Sequence, residues 1–422
     1  MSVQECPRIR YVEVIPIEEK NEVLFYIRDP LEISPSPIVL TAPQFFILTL
    51  LDGTRSISDI RMEFAQRFGG ILLPDHQLEN FLSELDRMYI LDGDTFRKRL
   101  EEVQKEFQER PTRQPWHAGQ AYSAEPATLH QQLESFFTSS QGAGYPQKIK
   151  RSERTNKTQT REVHAILVPH IDLRVGGTCY TYGYRHLLES TQPELVIILG
   201  VAHMGSRNLF TATTKDFETP LGTAKTDQEF LERWQNASSV DLTADEWIHR
   251  SEHSIEFQLL FLQHLIKKPF KIVPVLCGSL EPFLEEDETA LELHPSIKPQ
   301  LEGLRKAIQK ETREIAIILS VDLAHVGPKF GDSSPITISD REEMQAADYE
   351  LFDVLSRFDR ETYRDIMETN LIPRRVDAIS AIFTFLHIFD RGEGKLLRYE
   401  QNFQEDTQSL VTYASMALSG TL

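Results

Sequence analysis

Cysteine is scarce: the 422 residues hold three, Cys6, Cys179 and Cys277, with no CxxC pair and no regular spacing. An odd, scattered set excludes a disulfide framework or a zinc knuckle and predicts reduced thiols. Long apolar runs are missing too, since no window reaches the roughly 18 to 20 uninterrupted apolar residues of a membrane helix. The first twenty residues, MSVQECPRIRYVEVIPIEEK, are broken by charge and hold neither an apolar signal core nor a cleavage pattern. A cytoplasmic protein without a membrane partner is expected. Positive charge is also short: 45 Lys and Arg face 64 Asp and Glu, a net charge of −19. Such a chain repels a phosphate backbone, so nucleic acid is not an expected partner. No internal repeat of fixed period is present.

What remains is an ordinary globular composition, 40% hydrophobic and 26% charged, in a chain long enough for more than one core. Three regions separate. Residues 1–95 read as a small α+β unit: RYVEVIPI and EVLFYIR alternate like strands, and Asp52-Gly53 marks a turn after the apolar PQFFILTLL. SISDIRMEFAQRF has a capping serine, Ser56 or Ser58, and helical spacing at Ile60, Phe64 and Phe68. LPDHQLENFLSELDRMYIL continues with a helix on Leu78, Phe81, Leu82 and Leu85, then a short strand over Tyr89 to Leu91. Residues 96–162 read as a helical and flexible linker, with a solvated helix in FRKRLEEVQKEFQER. A polar stretch follows whose Lys148, Lys150, Arg151 and Arg154 form a solvated basic run. From 163 to 422, strand-like and helix-like stretches alternate, the pattern of an α/β domain with a mainly parallel sheet and flanking helices. LVIIL and IAIIL are apolar throughout, as strands buried on both faces are.

Polar residues recur at one place in this domain, the carboxyl ends of strands. His170 ends AILVPH, His203 follows LVIILG, and Asp322 and His325 follow IAIILSV. Ligand sites of open α/β sheets form beyond those ends, so histidines far apart in sequence can converge there. Gly176-Gly177, Gly205 and Gly327 follow each cluster and are expected to turn the chain over the site. A fourth cluster, SEHSIEFQLLFLQ, has Ser251 as a candidate cap, with Glu252, His253 and Glu256 in the first turns and His253 and Glu256 on one face.

Two resemblances follow from these motifs. LLDGTRSISDIRMEFAQRFGG with FLSELDRMYIL looks like the PqqD-like winged-helix domains, over roughly residues 10 to 95, which implies a peptide- or partner-binding module; a generic packing module reads equally well. VPHIDLRVGG, LGVAHMG, SEHSIEFQLLFLQ and SVDLAHVG resemble the Memo-like family, the protein B type of the AmmeMemoRadiSam gene association, over about residues 163 to 422. That family is similar in fold to the class III extradiol dioxygenases, which hold non-haem Fe(II).

The Memo resemblance implies a metal site of two histidines and a cysteine, here His170 and His203, with Asp377 of RRVDAISAIFTFL at the cysteine's position. Asp377 is either a ligand or a first-turn helix residue. Two histidines and a carboxylate suit Fe(II), with Cu or Zn as alternatives. His325 would then be the general acid/base, and Asp322 would fix its tautomer or orient a ligand histidine. His253, as proton donor, and Glu252, as its orienting carboxylate, would line the pocket. Cys179 and Cys277 read as small buried residues. The expected function is a non-haem Fe(II) oxidoreductase of the dioxygenase type. Its alternatives are a Zn(II) hydrolase on the same residues and a metal-binding scaffold associated with a radical SAM protein.

Overall fold

The structure, a computed structural model, describes residues 5–19, 22–147, 162–284 and 290–422. The chain divides into two compact units, Met1–Arg110 and Pro111–Leu422.

In the first unit β1 (Glu13–Glu19), β2 (Glu22–Arg28) and β3 (Ile38–Leu40) form an antiparallel sheet in that order. Four helices follow: α1 (Ala42–Thr49), α2 (Ile57–Arg67), α3 (Asp75–Arg87) and α4 (Asp94–Glu109). Ser56 caps α2, its hydroxyl accepting from the Asp59 N–H at 3.2 Å while the Asp59 carboxylate accepts from the Ser56 N–H at 3.0 Å, a reciprocal capping box. Ile60 and Phe64 of α2 and Leu78, Leu82 and Leu85 of α3 make one buried core. The strand expected over Tyr89 to Leu91 shrinks to a single bridge between Leu91 and Ile9, because Tyr89 turns left-handed (φ 59°) and breaks the extended run. Helix α4 is amphipathic rather than solvated all round, with Phe96, Val103 and Phe107 buried along one stripe, and it belongs to this unit.

The second unit begins with β4 (Thr112–Arg113) and α5 (Pro126–Thr138), so residues 111–147 are part of its fold where the sequence suggested linker. The basic run from Lys148 to Arg154 lies outside the described residues. Next come β5 (Glu162–Val168), α6 (Leu173–Ser190), β6 (Leu195–Val201), β7 (Phe210–Ala212), β8 (Asp216–Thr219), β9 (Gly222–Thr226), α7 (Gln228–Ala237) and α8 (His253–Leu265). The remainder is β10 (Lys271–Cys277), α9 (Glu281–Leu284), α10 (Lys298–Lys310), β11 (Ile315–Ser320), β12 (His325–Val326), α11 (Ile338–Arg357), α12 (Arg360–Ile366), α13 (Ile379–Ile388), β13 (Arg391–Gln404) and β14 (Ser409–Thr421).

Eleven described strands join in one sheet, ordered β12-β14-β5-β11-β6-β10-β9-β8-β4, with β13 on β14 and β7 on β10. Its centre, β5-β11-β6-β10, is parallel. Alternation along β5 sends Ala165 and Leu167 into one core, with α7, α10, α11 and α13, and Ile166 and Val168 into the other, with α5, α6 and α8. Both faces are therefore covered, which is why these strands carry no polar side. The carboxyl ends of β5, β11 and β6 lie side by side, and that adjacency brings the histidines together.

Gly176 and Gly177 do not turn the chain. Both lie inside α6, where a Cβ on Gly176 would come within 2.4 Å of the Ile171 side chain and one on Gly177 within 2.7 Å of the Phe136 ring. They let α6 pack closely. Gly205 (φ 75°) and Gly327 (φ 105°) do make left-handed turns. Gly176→Ala is expected to cost about 1–3 kcal/mol by overpacking against Ile171, read as a lower denaturation midpoint at unchanged slope.

Candidate metal centre

His170 follows the end of β5 and is buried. Its backbone N–H donates to Asp322 Oδ1 at 3.1 Å, and its Nδ1–H donates to the Ser320 carbonyl, on neighbouring β11, at 3.0 Å. That second bond fixes the tautomer and leaves Nε2 as the ligating atom. Nε2 lies 3.2 Å from Asp377 Oδ2 and 3.7 Å from Asp322 Oδ2. Asp377 Oδ1 accepts from the Asp322 N–H at 2.8 Å, whereas Asp377 Oδ2 is buried and has no hydrogen-bond partner. A buried carboxylate oxygen facing an imidazole nitrogen without an aligned hydrogen bond is a place for a cation. Burial pushes the His170 pKa down, but the charges of Asp322 and Asp377 override it and raise it to about 10. Burial likewise raises Asp322, while His170 outweighs burial at Asp377 and holds that carboxyl below its usual range. Either a proton or a metal ion must neutralise this pair of carboxylates.

His203 sits two residues past β6, its Nδ1 2.9 Å from Glu252 Oε2. Glu252 Oε1 lies 3.3 Å from His253 Nδ1 and accepts the Ser254 N–H at 2.9 Å, so Glu252, not Ser251, caps α8. One carboxylate thus faces two imidazoles and a backbone N–H, and its position on the cap is what aims it at His203. Burial would raise Glu252, but His203 drives it well below its ordinary value; in turn the Glu252 carboxylate outweighs burial at His203 and raises that imidazole. His253 moves the other way. Burial, reinforced by His170 and His203 and opposed by Glu252, pushes it well down, which favours its neutral form.

The ring centroids of His170, His203 and His253 lie 5.0–5.1 Å apart, with His203 and His253 nearly parallel at 17°. Ligand atoms of His170, His203 and His253 fall within 4.8 Å of one another, and so do those of His170, Asp322 and Asp377. The two groups adjoin at His170, and neither contains both His203 and Asp377. The site opens toward solvent at His203, whose side chain is 40% exposed.

The other expected residues fall around this centre. Asp377 stands in the loop before α13, outside the first turn of that helix. Asp322 holds the His170 backbone and makes no bond to His325; His325 Nδ1–H is directed to the carbonyls of Leu323 (3.0 Å) and Arg375 (3.2 Å) instead. His325 belongs to neither donor group, although its charge is felt by Asp322 and Asp377. Cys179 in α6 and Cys277 at the end of β10 are both buried, and burial raises both thiols, so neither supplies a thiolate.

Sequence reasoning missed the segment from Arg113 to Tyr122. His117 Nε2–H donates to the Ser251 carbonyl at 2.8 Å, and its ring meets His253 edge-on at 5.8 Å. The segment is fastened to α8 through Glu256, which pairs with Arg113 and accepts from the Tyr122 hydroxyl and from the backbone N–H groups of Trp116 (3.1 Å) and His117 (3.0 Å). Trp116-His117-Ala118-Gly119, a compact polar-aromatic cluster inside an otherwise linker-like stretch, was the available signal.

The Memo-like protein family model matches residues 113–417. The chain belongs to the Memo-like family. The match starts at Arg113, so the segment that sequence reading assigned to a linker is part of the Memo unit. A MEMO1 family protein of Aquifex aeolicus is 32% identical over 97% of this chain and 99% of its own length, which includes the first unit. A MEMO1 family protein of Thermus thermophilus is 26% identical over 86% of this chain and 99% of its own. One from Sulfolobus acidocaldarius is 32% identical over 58% of this chain and 81% of its own. Among the described residues no helix is long and apolar enough to cross a membrane.

Proposed function

We propose that this Memo-like protein is a non-haem Fe(II)-dependent oxidoreductase of the dioxygenase type, with His170, His203 and Asp377 holding the ion. The observation that carries this reading is the buried Asp377 Oδ2, which makes no aligned hydrogen bond and lies 3.2 Å from His170 Nε2. A two-histidine, one-carboxylate donor set suits Fe(II) and leaves positions for other ligands. The bound ion would supply Lewis-acid and redox chemistry toward O₂ and a chelating substrate. The protein's own groups do the rest. Asp322 fixes the His170 loop, Glu252 orients His203, and His325 exchanges a proton with a substrate at the rim. The first unit would recruit a peptide substrate or a partner such as a radical SAM protein.

A second reading has one observation in its favour: the neutral His253 completes a three-histidine set with His170 and His203, which suits Zn(II) and water activation for hydrolysis. Metal analysis of protein purified without oxygen distinguishes the two, with about one equivalent of iron expected. Oxygen uptake with catechols then tests ring cleavage. Zinc as the sole tightly held metal overturns the iron reading, and bound iron without oxygen uptake on any catechol leaves a metal-binding scaffold.

A further inference from the structure

Away from this centre, α5 and α8 bring a second pair of imidazoles together. His130 Nδ1 and His264 Nδ1 lie 2.9 Å apart, with ring centroids at 5.1 Å. Tyr145, just past α5, has its hydroxyl 2.9 Å from His264 Nε2. When that Nε2–H donates to the phenol oxygen, the His264 tautomer is fixed and its Nδ1 lone pair faces His130, the arrangement by which an outer partner orients a metal-bound histidine. Phe137 backs the cluster, its ring stacked on Tyr145 at 4.9 Å and lying 17° from parallel with His264 at 6.2 Å. Two metal–nitrogen bonds of about 2.0–2.1 Å at a right angle place their nitrogens about 2.9 Å apart. A right angle belongs to square-planar and octahedral ions, Cu(II) and Ni(II).

We propose that His130 and His264 form a second, two-imidazole binding site for a late first-row divalent ion, clipping α5 to α8. Neighbouring charge cuts both ways. Glu134, one turn after His130 on α5, adds negative charge felt by Tyr145, while Lys267 sits close, its ammonium bonded to the His264 carbonyl at 2.7 Å. The clip has a structural consequence for the principal centre, because α5 directly follows the segment from Arg113 to Tyr122 that is fastened to α8 beside His253. It does not depend on which metal the principal centre holds.

Ni(II) titration of the full chain, followed by calorimetry and by thermal unfolding, tests this. The intact protein is expected to bind one more equivalent of Ni(II) than His130→Ala or His264→Ala, and Ni(II) should raise its melting temperature more than theirs. Tyr145→Phe should keep the equivalent with roughly 10-fold weaker affinity. Because the His130 side chain is exposed, His130→Ala is expected to fold. An unchanged Ni(II) stoichiometry in both histidine variants would show the pair to be a simple hydrogen bond and overturn the site; carrying His203→Ala alongside keeps the two centres distinguishable.

Discussion

Asp377→Ala is expected to lower the affinity for Fe(II) by more than about 100-fold, beyond the 10- to 100-fold loss typical of an outer partner. Alanine removes the oxygen that faces His170 Nε2 and leaves that nitrogen only Asp322 as a nearby carboxylate, at 3.7 Å. Anaerobic competition against a chromogenic chelator measures it, and retention of full iron binding would return Asp377 to a backbone-bonding role toward Asp322. The companion substitution is more informative. Asp377→Cys installs the thiolate that the family resemblance places at this position, and it is expected to keep a metal ion while shifting preference toward Cu(I), since soft ions favour sulfur. His170→Ala should abolish binding altogether, because both donor groups contain that imidazole.

Glu256→Ala is expected to destabilise the protein by about 3–5 kcal/mol, the usual consequence of removing one partner of a buried ion pair. Arg113 and Glu256 have no exposed side-chain surface, and alanine leaves the guanidinium without its counter-charge and takes an acceptor from the N–H groups of Trp116 and His117 and from the Tyr122 hydroxyl. Set against total stabilities of about 5–15 kcal/mol, that loss removes a large share of the folded state's margin. Denaturant midpoints measure it. Replacing both partners, Arg113→Met with Glu256→Leu, should recover much of the loss by removing the uncompensated charge. If Glu256→Ala costs less than about 1 kcal/mol, the segment from Arg113 to Tyr122 is not held as described.

Much of the second unit was legible because its strands are buried on both faces, and such strands show as apolar runs with polar residues only at their ends. His170, His203 and Asp322 could be picked out for that reason, as interruptions in otherwise uniform stretches. Glu252 and His253 were legible from the helix start they occupy, although the cap itself shifted by one residue once the carboxylate found His203. Gly176 and Gly177 were misread as a turn, since nothing local distinguishes a glycine chosen for φ from one chosen for close helix packing. Arg113 and Glu256 were beyond local reasoning: Arg113 sits in a polar stretch, and Glu256 looks like an ordinary first-turn acid.

The sequence by itself determined that three short motifs end a strand, and a fourth starts a helix, with residues of the types that ligate metals or exchange protons, because strand periodicity and helix starts are local properties. Only the tertiary structure decided which of them meet. The β5-β11-β6 order sets Asp322 against the His170 backbone, and the loop before α13 delivers Asp377 to the Nε2 of the same histidine. His325, equally well signalled, is left at the rim with its Nδ1 on backbone carbonyls. Strand order and loop paths follow from how two cores fill on either side of one sheet, a property of the whole chain that no single motif contains.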